Sequence, residues 1–426
     1  MTKRSFPKGF LWGAATAAHQ VEGGLINDWT AWEQANAKVL AALAETRFGG
    51  LPNWPQIKAE ATKPANYLSG PAADFRHRYP ADIKLMVKLG LNAFRFSIDW
   101  SRLEPQPGRY DEAEFSYYRD LIKQLHSAGV EPLLTLWHWP LPQWLVDQGG
   151  WHSRSILGHW QRFVIKVIKE LGAGITYWLT LNEPDGWAGN AYLLKTWPPQ
   201  GPRRYLPRVL RQLVKAHRLA YSQIKQNFPE AQVGLAKSVV YFEPVDRKLR
   251  NRLYKRLVTW LVNYRFLNQT HEYLDFIGVN YYFHNRLDFR WRDFKQMWRG
   301  NFGSHNRNQQ ISDMGWELYP RGLAPLLAEL NKYRKPLIIT EHGLADASDQ
   351  HRGWYIKESL SSVAKAIAAG ADVRGYLHWS LIDNFEWDKG FWPRFGLAEV
   401  DFRTQQRRLR PSAFIYAQII KSAKAG

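Results

Sequence analysis

Apolar, β-branched runs recur along the chain, each ending in polar or aromatic residues and each followed by a segment whose apolar positions repeat at helical spacing. The strand-like runs are FLWGAATAA, AFRFSIDW, EPLLTLWH, ITYWLTLN, QVGLAKSV, FIGVNYY, PLIITEHG and VRGYLHWSL. Segments such as FSYYRDLIKQLHSAG, ILGHWQRFVIKVIKELG and YIKESLSSVAKAIAAG lie between them, and PSAFIYAQIIKSAKAG closes the series. Eight runs of this kind predict an α/β chain folded as a (β/α)8 TIM barrel, because strands covered by helices on their outer face and packed on one another inside read as continuous apolar stretches. Such barrels routinely pass ~250 residues as one unit, so residues 1–426 are expected to form a single domain. Two segments, roughly 31 to 73 and 284 to 316, break the rhythm. Both follow strand C-termini, so they are expected as loop insertions at the C-terminal face that wall a pocket.

A hydrophobic content of 45% with 15% aromatics excludes a largely disordered chain. The formal net charge of +20 raises nucleic acid or an anionic membrane as partners. Nucleic acid is not expected, because the basic residues spread along helix faces and no finger, basic zipper or RNA-binding signature accompanies them. In LRNRLYKRLVTWLVNYRF and FRWRDFKQMWRG cationic and aromatic residues interleave. A solvated outer helix face is the expectation there, with an interfacial, membrane-surface helix as the alternative.

Cysteine is absent, so disulfides and thiolate metal sites are excluded and the redox compartment is left open. Lys3 and Arg4 followed by an apolar run to Ala17 mimic a secretory leader, but Pro7, Lys8 and Gly9 interrupt it, and it is read as leading into the first strand. No run reaches the ~18 apolar residues of a membrane span. A cytoplasmic protein without cofactor is expected.

The strand ends carry the candidate chemistry. Gln20 and Glu22 follow the first strand, Arg95 lies on the second, His138 and Trp139 follow the third, and Asn182 and Glu183 end the fourth. Asn280 and Tyr282 belong to the sixth, Glu341 to the seventh, and Trp379, Asp383, Asn384, Glu386 and Trp387 to the eighth and its loop. In this fold strand C-termini converge on one mouth, where ligands bind. Glu183 and Glu341 each stand just beyond a buried-strand pattern. Two carboxyls so placed suit the cleavage of a sugar acetal, which needs one protonated and one ionised carboxyl, about 5 Å apart where configuration is retained. An ion pair is the bland alternative for either acid. A metal-dependent hydrolase is disfavoured: His19, His138, His342 and His378 are dispersed, and neither H-x-H nor H-E-x-x-H occurs.

The runs PKGFLWGAATAAHQVEG, FRFSIDWSR, HWPLPQW, TLNEP, GVNYY, ITEHG, HWSLIDNFEW and RFGLAEVD resemble, in order and spacing, the motifs of the retaining β-glycosidases of glycoside hydrolase family 1. The tail from RGYLHWSLIDNFEWDKGFWPRFGL to RPSAFIY is most similar to the archaeal branch, and the resemblance covers nearly the whole chain. It implies a hydrolase of β-glucosidase or β-galactosidase type that removes a terminal β-glycosyl unit from a small-molecule β-glycoside, with Glu183 as general acid/base and Glu341 as nucleophile. It also implies that Gln20, His138, Asn182, Glu386 and Trp387 bind sugar hydroxyls and that Trp379 is the stacking platform. Arg95 and Tyr282 are placed where both could hold Glu341 ionised, and Asn280 is expected to orient Glu341 and Tyr282. Asp185, Gly186 and Trp187 are expected to border the aglycone side.

Glu386 within FEW points to unphosphorylated sugars, since relatives acting on 6-phosphoglycosides differ there. His342 and Pro140 depart from the commoner Asn and Asp of the family pattern. The same residues serve transglycosylation, in which an alcohol resolves the intermediate, and a non-catalytic carbohydrate- or membrane-binding relative is the remaining alternative.

Overall fold

A computed structural model describes residues 6–290 and 305–425. Lys3, Arg4 and residues 291–300 of the basic aromatic stretch lie outside them. Eight parallel strands close into a barrel in sequential order: β1 (Leu11–Ala15), β2 (Ala93–Ser97), β3 (Glu131–Thr135), β4 (Tyr177–Asn182), β5 (Gln232–Pro244), β6 (Phe276–Leu287), β7 (Leu337–His342) and β8 (Val373–Trp379). The main helices between and after them are α1 (Asp28–Ala42), α2 (Phe75–Lys88), α3 (Glu112–Ser127), α4 (Ile156–Leu171), α5 (Leu206–Asn227), α6 (Leu249–Thr259), α7 (Leu323–Leu330), α8 (Arg352–Ala368) and α9 (Pro411–Lys424).

Strand β2 illustrates how the two-residue period sorts side chains. Phe94 and Phe96 face outward against Phe75 and Tyr118, whereas Arg95 turns inward to the barrel axis and is fully buried. Ala15, Ala93, Leu133, Leu179, Ala236, Ile338 and Leu377 fill the interior beneath it. The helices cover the outside with an apolar stripe at helical spacing: in α4 that stripe is Ile156, Trp160, Phe163, Val164, Val167 and Leu171, all buried.

Strands β5 and β6 run further than the sequence pattern implies. β5 leaves β4 after Ala236 but stays paired with β6 as far as Pro244 and Leu287, so the two form a ribbon beyond the barrel rim. Helix α6 packs on it through Tyr254 and Val258 against Phe242 and Leu287.

The segment 31 to 73 contains most of α1 and the short helices Ala44–Phe48 and Trp54–Ala61. It packs against the loop after β8: Asn66 accepts from the backbone of Phe391 and Trp392, and Arg47 pairs with Asp388. Of the other segment, Trp316 stands against Tyr282 and Phe395. Among the described residues no helix is long and apolar enough to cross a membrane.

Candidate active site

Arg95 organises the floor of the barrel mouth. Its Nη1 donates to Glu341 Oε1 at 2.6 Å, its Nη2 to Asn182 Oδ1 at 2.7 Å and its Nε to Thr135 Oγ1 at 3.0 Å. A guanidinium is costly to bury unless its donors are filled, and three strands supply the acceptors. The Tyr282 hydroxyl donates to the other oxygen of Glu341, Oε2, at 3.0 Å. At Gly343, two residues on, a Cβ would lie 1.8 Å from the Trp379 carbonyl oxygen, so only glycine lets the end of β7 pass β8 here.

Glu183 stands after β4 with a left-handed backbone, φ 44°, as do Trp139 and Trp387 at 87° and 49°. Such conformations cost roughly 1–3 kcal/mol each and gather at functional sites. The Glu183 backbone N–H is tied to the Ala236 carbonyl at 2.8 Å, and Asn280 Nδ2 donates to its Oε1 at 2.8 Å. Thr340 Oγ1 donates to Asn280 Oδ1 at 2.7 Å, which fixes the amide with its NH2 toward Glu183. The amide thus serves Glu183 and, at 3.1 Å, Asn182. It also lowers the pKa of Glu341. No bond to Tyr282 forms, which departs from the expectation that Asn280 orients that residue.

The two carboxyls differ in electrostatic setting. Burial, and then the charge of Glu341, push Glu183 up to about 8, against smaller lowering effects from Asn280 and Lys237. Burial raises Glu341 as well, but the Arg95 guanidinium, the Tyr282 hydroxyl and Asn280 all oppose it. Only Glu341 bonds a cation, so it is the carboxyl that ionises first.

Above this pair lies a polar and aromatic rim. Glu386 Oε2 accepts from Asn384 Nδ2 at 3.0 Å and Gln20 Nε2 at 3.2 Å, and burial pushes its carboxyl up to about 7. Asn182 Nδ2 donates to His138 Nε2 at 3.0 Å. Burial, then the nearby Arg95 charge, hold His138 well below the usual histidine range and therefore neutral. Two buried polar atoms of this rim have no protein partner, Gln20 Oε1 and His138 Nδ1. Buried polar atoms are rarely left so, and this pair offers one acceptor and one donor to a polyhydroxy ligand. The Trp387 ring is clamped by His19, Trp29 and Trp139 at 5.3, 4.5 and 4.5 Å, and Trp379 lies 6.1 Å from the His138 ring.

Three further expectations change. Glu22 turns away from the mouth to pair with Arg102 at 3.1 Å and accept from Tyr118 at 2.9 Å. Asp383 accepts both terminal nitrogens of Arg410 at 2.9 Å, a structural pair under the β8 loop. Trp187, expected at the aglycone side, is fully buried edge-on to Trp137 at 5.0 Å, because an indole in the first turn of the short helix Pro184–Ala188 points back into the core.

Lys237 was not legible as a site residue. It sits on β5, buried, with Nζ 3.1 Å from Asp185 Oδ2, two residues past Glu183. A single lysine inside an apolar strand pattern was the available signal. Among the described residues no group of three His, Asp or Glu side chains could hold a metal ion.

The family model for glycosyl hydrolase family 1 matches residues 2–270 and 248–425. Beta-glucosidase A of Thermotoga maritima is 29% identical over 468 residues, covering 99% of each chain. A beta-galactosidase of Saccharolobus solfataricus is 28% identical, covering 97% of this chain and 95% of its own. The solved structure of a beta-glycosidase from Pyrococcus horikoshii superposes with a TM-score of 0.84 at 34% identity, covering 99% of this chain and 96% of that one.

Proposed function

The chain belongs to glycosyl hydrolase family 1 and is a retaining β-glycosidase, and we propose that Glu341 is its nucleophile and Glu183 its general acid/base. The observation that carries this reading is the unequal pairing: Glu341 bonds Arg95 and Tyr282, while Glu183 receives only a neutral amide.

In the first step ionised Glu341 attacks the anomeric carbon as Glu183 passes its proton to the glycosidic oxygen, and the aglycone leaves as an alcohol. The ester then formed at Glu341 carries no charge, so one of the two main effects raising Glu183 disappears and its pKa falls. Glu183, now ionised, takes a proton from water, the oxygen attacks the anomeric carbon, and Glu341 departs as a carboxylate. Two inversions leave the configuration unchanged.

Gln20, His138, Asn182, Glu386 and Trp387 are proposed to hold the hydroxyls of a terminal β-D-glucosyl, galactosyl or fucosyl unit, with Trp379 under the ring face. The unpartnered Gln20 Oε1 and His138 Nδ1 favour this, since a bound hydroxyl supplies what each lacks. Residues 1–426 are read as one catalytic domain.

A 2-fluoro β-glucoside with a dinitrophenyl leaving group tests the assignment, because fluorine slows the second step and lets the ester accumulate. Mass spectrometry of the digested protein is expected to find the sugar on the peptide containing Glu341. A sugar on another acid, or an α-anomer as the first product by proton NMR, overturns it.

A further inference from the structure

Helix α6 turns an apolar stripe outward. Leu249, Leu253 and Leu257, with Trp260 in the turn that continues the helix, are 68, 53, 41 and 46% exposed, and their spacing of four, four and three residues puts them on one face. The opposite face, Tyr254 and Val258, is already packed on the β5–β6 ribbon. A merely solvated helix would show polar side chains where these leucines stand. Arg250 borders the stripe on one side, and Arg252 and Arg256 on the other, all exposed. None of the three forms an ion pair among the described residues, and no Asp or Glu occurs from 247 to 271.

Beside the stripe is a cavity of about 670 Å³ whose lining includes Arg247, Arg252, Lys255, Arg256 and Arg286 against one acid, Glu243. Lys255 is taken by Glu329 at 2.9 Å, and Arg286 lies 3.6 Å from Glu243. Arg247, Arg252 and Arg256 therefore keep their charge for an outside anion. Arginines alone would suit any polyanion, nucleic acid included, but a nucleic-acid backbone gains nothing from a row of leucines. Aliphatic and indole side chains between cations fit the boundary where acyl chains meet charged headgroups.

We propose that this face of α6 docks on an anionic lipid bilayer, with Leu249, Leu253, Leu257 and Trp260 entering the headgroup boundary and Arg247, Arg252 and Arg256 bonding lipid phosphate oxygens. The β5–β6 ribbon carries α6 past the rim at which β4 and β5 part, so the docked surface lies at the mouth end of the barrel.

Flotation of the full chain with vesicles tests this, using phosphatidylcholine alone and phosphatidylcholine containing phosphatidylglycerol, at physiological salt. The protein is expected to float with the anionic vesicles and to bind neutral ones at least tenfold more weakly. Arg252→Gln with Arg256→Gln should weaken anionic binding about 30-fold, at about 1 kcal/mol per cation. Leu253→Gln, Leu257→Gln and Trp260→Gln together leave the net charge of +20 unchanged and should still weaken it tenfold or more, with melting curves like the wild type because these side chains are exposed. Absence of flotation, equal binding to both vesicles, or undiminished binding by the leucine and tryptophan variant overturns the proposal; the last would mean diffuse attraction by net charge alone.

Discussion

Arg95 Nη1 meets Glu341 Oε1 at 2.6 Å with both side chains buried, while Glu183, across the same mouth, forms no ion pair among the described residues. One cation thereby separates two carboxyls that burial alone would push in the same direction. Replacing Arg95 by Met should move the acid limb of the kcat/KM profile to higher pH, because Glu341 then loses the charge that favours its ionised form. It should also cost about 3–5 kcal/mol of stability through the unpaired buried carboxylate, read as a lower melting temperature near neutral pH.

In the proposed mechanism Glu183 is protonated for the first step, so activity is expected to fall as pH rises through about 8. Glu183→Gln should remove that limb and slow cleavage of alkyl β-glycosides by roughly 10²–10⁴-fold. Dinitrophenyl glycosides, whose leaving group needs no proton, should keep a fast first step, visible as a burst of phenolate. Equal losses on both substrates would argue against the proton-donor role.

The same carboxyl links stability to pH. Its folded pKa lies above the unfolded value of 4.5, so its contribution is complete below about 4.5 and is lost as pH rises to about 8. Glu183→Gln removes the loss. The variant should match the wild type in stability at pH 4 and exceed it at pH 9 by on the order of a few kcal/mol, read as a higher melting temperature there.

Lys237 lies close enough to Glu183 to lower its pKa. In Lys237→Met that influence disappears, and Asp185 loses its partner at 3.1 Å and adds an uncompensated negative charge. Both effects raise Glu183, so the alkaline limb should shift upward in the variant. An unmoved limb with lower kcat would reduce Lys237 to a packing role.

Gln20 touches the rim twice, donating to Phe385 O at 2.9 Å and Glu386 Oε2 at 3.2 Å, and its own oxygen is unpartnered. Gln20→Ala is expected to lower kcat/KM for an aryl β-glucoside by about 10–100-fold, the worth of one to two hydrogen bonds to a buried ligand. Comparison across glucoside, galactoside and fucoside would show which hydroxyl it serves.

The eight strands and most of the helices between them were legible in the sequence because apolar period is a local property, set residue by residue along the chain; the helix Asp28–Ala42, inside a segment expected as a loop insertion, was not. So were Arg95, Asn182, Glu183, Asn280 and Glu341, since the C-terminal end of a barrel strand fixes the mouth without reference to any other strand. Partnership was not. Arg95 and Glu341 are 246 residues apart, and only closure of the barrel puts one guanidinium on one carboxyl. Glu22 and Asp383 carry the same charge and the same strand-end position, yet Arg102 and Arg410 claim them; sequence gives the acid, and packing decides whether its neighbour is a cation or an open mouth. Likewise the leucines of α6 have the spacing of a buried stripe, and the seating of the helix on the β5–β6 ribbon by its other face left them outside. Local pattern says which side chains share a face; which face meets another element depends on contacts between segments far apart in the chain.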